Sequence, residues 1–225
     1  MLAVNKIYTA HYSPLTERKS FLVKQFSNLG VTTEWFEEEP TGDDITSLYD
    51  STKDSWDSKA SLVPYENPVP FRQLNRAEIS LAFKHVQMYE RIVEEEIPTC
   101  LILEDDAVFS VDFVDQFNFN LFRTPKDWDF IFIGSGCNLR IDARQRMAGT
   151  VAYLKSHPAS KCTDSYLVTY EAARKILDSI KPFSFPIDFE LNYQMAHHDM
   201  QVYWWEPPIV TQGSQCGMYR SEIQL

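Results

Sequence analysis

Residues 101–107 read LILEDDA, an apolar run ending in three adjacent carboxylates, Glu104, Asp105 and Asp106. Like charges this close raise one another's pKa unless something offsets them. If the chain is still extended there, side chains alternate, so Glu104 and Asp106 share a face and Asp105 points away. Two carboxylates two residues apart on one face suit a hard divalent cation, magnesium or manganese. Such a cation keeps waters and also binds substrate phosphates. The offsetting charge is then a metal carrying a diphosphate, with Glu104 and Asp106 as its ligands. An exposed acidic turn, or a set of charges at the start of the helix after Ser110, explains the same letters without a ligand.

The elements around the triplet set its position. Ala3 to Thr9 reads as a first strand. Ser13-Pro14 offers an N-cap and a first helical proline, and Gly30 is a stop. Val31 to Phe36 reads as a second strand, so the opening is β-α-β. Asn75 with Glu78 resembles a capping box that starts a helix to about Glu95, with Ile79, Phe83, Val86, Tyr89, Ile92 and Val93 as its apolar stripe. Thr99 to Leu103 then has the pattern of a strand buried on both faces. Further strands are expected at 129–133, 166–169 and 201–205, and helices at 171–180 and 189–197. The sum is a single α/β domain over 1–225, with a mostly parallel central sheet flanked by helices. In open α/β sheets ligands bind beyond the carboxyl ends of the strands, where the triplet stands. Residues 37–70 are acidic, contain prolines and are weakly periodic. They read as a loop insertion whose aromatics Tyr49, Trp56 and Tyr65 pack beneath it or stack on a ligand.

The chain has 225 residues, 44% of them hydrophobic, enough for a sizeable core, and a formal net charge of −11. That charge argues against a general nucleic-acid binder. No run approaches the length of a membrane span, and MLAVNKIYTAHYSP lacks the long apolar region of a signal peptide. The expectation is a soluble, cytoplasmic protein. Cys100, Cys137, Cys162 and Cys216 form no C-x-x-C pair and read as reduced thiols packed as small hydrophobes. His197 and His198, adjacent on a helix, cannot easily face one ion and read as structural. At least one of Trp204 and Trp205 is expected in the core.

Residues 77–107, AEISLAFKHVQMYERIVEEEIPTCLILEDDA, resemble glycosyltransferase family 25. That family includes bacterial lipooligosaccharide glycosyltransferases and collagen galactosyltransferases. Its pattern is roughly G-E-I-G-C-x-x-S-H, a helix, then a hydrophobic strand ending L-E-D-D. Glu78, Ile79, His85 and the whole acidic triplet match, whereas Ala77, Ser80, Leu81 and Lys84 depart. TERKS, WDFIFIG, TDSYLVTYEAARKIL (with Thr163, Tyr166 and Ala172 matching and Ser165 in place of Ala), PIDFELN and EPPIVTQ resemble further family segments in order, covering most of the chain outside 37–70.

The resemblance implies a GT-A fold, a nucleotide-sugar donor (UDP-linked by default), a divalent metal (Mn2+ or Mg2+) and an inverting transfer to a hydroxyl of a glycan or glycoconjugate. It places Thr9, His11 and Arg18 at the first β-α junction, where the nucleotide is held, with Arg18 suited to phosphate. Glu78 and Asp105 are further donor-binding candidates, and Gln212 would complete the metal or diphosphate shell. An inverting transfer needs a general base on the acceptor hydroxyl. Asp188, which matches the family's P-x-D element, is the first candidate, followed by Glu190 and by Asp164 near the sheet's end. A helix N-cap is the structural alternative for Asp188. Two rival functions stay open: a metal-dependent phosphohydrolase or nuclease using the same carboxylates, and a nucleotide- or glycan-binding module without turnover. Product analysis separates the first rival. The second predicts no activity for a Glu104/Asp106 substitution to abolish.

Overall fold

Alternation along the strands builds two cores. In β3 (Thr99–Glu104), Cys100 and Ile102 join one buried cluster, and Leu101 and Leu103 the other. β1 (Lys6–Ala10) repeats this with Tyr8 opposite Ile7, and β5 (Phe130–Phe132) with Phe130 and Phe132 opposite Ile131. A strand whose two faces are both apolar needs cover on each. The first face is covered by α4 (Arg76–Glu94), α6 (Tyr170–Leu177) and α7 (Ile187–His197), and the second by α1 (Thr16–Leu29) and α5 (Phe113–Arg123). This computed structural model describes residues 1–63 and 69–220. Tyr65 therefore lies outside the described residues.

With β2 (Glu34–Phe36), β6 (Ala152–Leu154), β7 (Ser165–Thr169) and β8 (Val202–Trp205), the central sheet has the order β2-β1-β3-β7-β5-β8-β6. The α/β class stands, and the sheet is mixed. β1, β2, β3, β5 and β8 run one way, while β7 and β6 oppose them. Parallel pairing needs a long crossover, usually helical. Between β5 and β7 the chain holds only 3-10 turns and β6. It therefore enters β7 from the edge at which β5 and β3 end. A two-stranded ladder, β4 (Ala107–Phe109) with β9 (Val210–Gln212), stands beside that edge.

Local signals explain most element ends. Asn75 and Glu78 form the expected capping box, each side chain accepting the other's backbone N–H. Gly30 closes α1 in the left-handed region at φ 64°. The start of α1 differs from expectation. Leu15 N–H donates to Tyr12 O, so residues 12–15 form a turn and the helix begins at Thr16 with no side-chain cap. Cys100 is buried as expected, but Cys137 and Cys216 are exposed and Cys162 is partly so. Trp204 and Trp205 are both buried.

The 37–70 segment departs most from expectation. It contains two helices, α2 (Gly42–Leu48) and α3 (Lys53–Ala60), capped by the side chains of Thr41 and Thr52. Trp56 is buried against Phe185, with ring centroids 4.5 Å apart. Tyr49 stacks on Phe183. Lys59 Nζ donates to Glu190 Oε1 at 2.6 Å, and Glu190 is fully buried. Glu190 also accepts from Ser184 N, Phe185 N and Gln194 Nε2. A carboxylate so tied rivets the segment to α7. Glu190→Ala, which leaves the Lys59 ammonium the Pro182 carbonyl but, among the described residues, no ion-pair partner, should cost about 3–5 kcal/mol in denaturant unfolding. A loss under about 1 kcal/mol would mean that water screens the pair.

Candidate active site

The carboxyl ends of β1 and β3 open into a cavity of about 330 Å³, within the range of small-molecule sites. Its walls include His11, Arg18, Arg76, Ser80, Lys84, the whole acidic triplet, Gln212 and Ser214. Tyr12, Leu15, Ala77 and Leu81 supply apolar surface.

The triplet does not continue as a strand. β3 stops at Glu104, and Asp105-Asp106 form a turn into β4. The turn sends Asp105 away from the other two carboxylates. Glu104 Oε1 accepts from Thr163 Oγ1. Asp105 turns away, accepting from Arg18 Nη1 at 3.0 Å and pairing with His11 Nδ1 at 2.8 Å. Asp106 Oδ2 accepts from Ser214 N at 3.0 Å, and its backbone carbonyl accepts from Gly213 N. Arg18 is thus the charge that offsets Asp105. Among the described residues no cation forms an ion pair with Glu104 or Asp106, and Arg18 acts on Asp106 only from a distance. Burial, reinforced by the Asp106 charge, pushes the Glu104 carboxyl well up, and burial also raises Asp106.

The antiparallel entry of β7 adds a fourth carboxylate. Glu104 N–H donates to Asp164 O, which puts residue 164 beside the end of β3. Asp164 is fully buried, and burial together with the Asp106 charge pushes its carboxyl up to about 8. It lies against the backbone of Gly134 and Gly136. A Cβ on Gly134 would stand 2.0 Å from Asp164 Oδ2, and one on Gly136 1.8 Å from Lys161 O. Only glycine permits that approach.

Of the residues singled out in the sequence, the cavity gathers His11, Arg18, Glu104, Asp105, Asp106 and Gln212. Asp164 stands behind it, buried, with Oδ1 unpartnered. Asp188 does not line the cavity; it lies in the first turn of α7, half-buried, and burial pushes its carboxyl up to about 6. Three candidates point elsewhere. Thr9 is buried, its hydroxyl on Thr33. Glu78 is held by Asn75 and by Arg72 at 2.7 Å. Glu190 is the rivet described above. Buried His85 bonds Tyr166 Oη at 2.7 Å, and burial lowers it to about 3, so it is a neutral packing residue. His198 bonds Ser179 and His197 stacks on Tyr193, both structural as expected.

Lys84 was missed. The residue is 2% exposed and lines the cavity, and its ammonium donates to Ser80 Oγ at 2.6 Å and to Glu39. The available signal was a polar i, i+4 pair, Ser80 and Lys84, on one face of α4.

The donor atoms suit a hard cation. Asp106 Oδ1 and Gln212 Oε1 are buried oxygens without hydrogen-bond partners among the described residues, and both residues line the cavity. The β4–β9 register brings Gln212 level with Ala107, next to Asp106. Among the described residues no three His, Cys, Asp or Glu side chains form a preformed metal-holding group. A cation here would complete its shell with water and ligand oxygens, as magnesium commonly does.

A profile of glycosyltransferase family 25 (LPS biosynthesis protein) matches residues 14–191. Human procollagen galactosyltransferase 2 is 26% identical over 144 residues, 62% of this chain and 23% of that protein. A glycosyltransferase 25 family member from Anopheles gambiae is 27% identical over 203 residues, 88% of this chain and 33% of that protein. The chain thus spans about a quarter to a third of the length of these relatives. Among solved structures, a glycosyltransferase involved in the glycosylation of the major capsid of PBCV-1 aligns at TM-score 0.48 and 12% identity, covering 97% of this chain and 95% of that one. No helix among the described residues is long and apolar enough to cross a membrane.

Proposed function

Because the chain belongs to glycosyltransferase family 25, we propose that it transfers a sugar from a nucleotide-sugar donor, UDP-linked, to a hydroxyl of a glycan or glycoconjugate, with inversion. The observation that carries this reading is where the family's acidic motif falls. Glu104, Asp105 and Asp106 line a cavity at the end of the sheet that also holds Arg18, Arg76 and Lys84. Acidic and basic groups converging on one cavity suit a diphosphate and its counter-ion better than either alone.

The residues divide the work as follows. Arg18, fixed by Asp105, presents its remaining guanidinium donors to phosphate oxygens. Lys84 supplies a compact second positive charge from α4. The apolar wall of Leu15, Ala77 and Leu81 takes the base or sugar faces. Asp106 and Gln212, with Glu104 beside them, would hold the divalent cation. A bound cation there would act as a Lewis acid, stabilising the charge that develops on the leaving nucleoside diphosphate. Asp188 takes the proton from the attacking acceptor hydroxyl. A carboxyl raised to about 6 is a stronger base than an ordinary aspartate and is still ionised at neutral pH. The 37–70 helices shape the acceptor side.

The test is a calorimetric titration of UDP into metal-stripped protein, with and without manganese, repeated on Asp106→Asn. Binding that appears with manganese and weakens at least about tenfold in the variant is expected. Failure of any nucleotide to bind under either condition would sink the donor assignment.

A further inference from the structure

Cys137 and Cys162 stand apart from the cavity, on two loops that rim the same end of the sheet. Their Sγ atoms are 2.8 Å apart, and both thiols are free. A closure of about 0.8 Å would bring them to the bond length of about 2.05 Å. The loops leave little freedom to avoid this meeting. Cys137, Asn138 and Cys162 all occupy the left-handed region, at φ 52°, 53° and 64°, which residues with side chains rarely adopt. The two loops also touch through backbone, Gly136 against Lys161 O. Cys137 is exposed and therefore open to reagents.

We infer that Cys137 and Cys162 are an oxidative modification site, closing to a disulfide that locks the 134–141 loop to the 160–164 loop beside Asp164. The inference holds whether or not the chain transfers sugar. Cys137 is the more exposed of the two thiols, which makes it the entering nucleophile. Its thiolate attacks one sulfur of a small-molecule disulfide, expelling one thiolate and leaving a mixed disulfide on Cys137. Cys162 then gives up its proton to solvent and attacks Cys137 Sγ, expelling the second thiolate. Two electrons pass from the protein dithiol to the oxidant, and two small thiols are released. Cys100 is buried and takes no part. Cys216 is exposed, its Sγ 3.4 Å from Gly213 O, and is the internal control.

The test equilibrates the chain with oxidised glutathione, alkylates it under denaturing conditions, and maps the peptides without reduction. A linked pair containing Cys137 and Cys162 is expected, lost on treatment with dithiothreitol. Reduction should lower the Tm by about 5–10 °C. Cys137→Ser and Cys162→Ser should each remove both the linked peptide and the redox dependence of Tm. Full alkylation of both cysteines after oxidation would overturn the inference. So would a link to Cys216, or a Tm that ignores redox state in the linked wild-type protein.

Discussion

Asp106→Asn should lower kcat/KM for sugar transfer by about 10²- to 10³-fold while leaving the fold at least as stable as wild type. The two effects have one cause. Asp106 is buried, its Oδ1 lacks a partner among the described residues, and burial holds its carboxyl above the usual range. The folded protein therefore binds a proton there more tightly than the unfolded chain does. Stability from this group is present at low pH and falls as pH rises through the folded pKa. Asparagine keeps an oxygen for Ser214 N–H and removes the charge, so the variant should not show that decline. A carboxylate kept where it costs stability is the mark of a group held for a ligand rather than for packing. The measurements are donor-dependent transfer kinetics and thermal melts across pH. Transfer within about threefold of wild type would remove Asp106 from the reaction. A large loss of stability would make it a structural residue.

The part of this site that could be read from sequence is the part written in local pattern. The buried run before Glu104, the Asn75–Glu78 box and the Gly30 stop are signals contained within a few residues, and each is where expected. Strand direction is not local. Nothing within SYLVT says that β7 runs against β3, and that reversal is what carries Asp164 to Glu104. β4 and β9 are three residues each, too short to show a period, yet their pairing delivers Gln212. The 37–70 segment lacks an amphipathic stripe because its helices are one or two turns long. Their start signals, Thr41 with Asp44 and Thr52, were present in the letters. Alternation suggested that Asp105 would part from its neighbours. It does, through a turn rather than a continued strand. The cysteine pair, 25 positions apart, is a tertiary fact with no local trace.

Asp188→Asn should lower kcat by about 10²- to 10⁴-fold, with donor binding nearly unchanged. In the wild-type protein the acid limb of the kcat profile should bend near pH 6, where Asp188 ionises, and the asparagine variant should lack that limb. Stability separates this role from a helix-capping one. The residue capping α7 is Pro186, and Asp188 sits inside the first turn, its Oδ1 accepting from Phe189 N at 3.0 Å. A carboxylate serving the helix N-terminus would be lowered in pKa by the dipole, and its loss would destabilise. Here burial outweighs the dipole and raises the pKa from 3.8 to about 6. The folded state therefore holds the extra proton between about pH 4 and 6, and the group's contribution to stability declines as pH rises through that window. Asp188→Asn should match wild type near pH 4 and exceed it at pH 7, by about 1–2 kcal/mol once its partial exposure is discounted. A variant less stable than wild type at pH 7, with the acid limb intact, would return Asp188 to structure and leave Asp164 as the base to test.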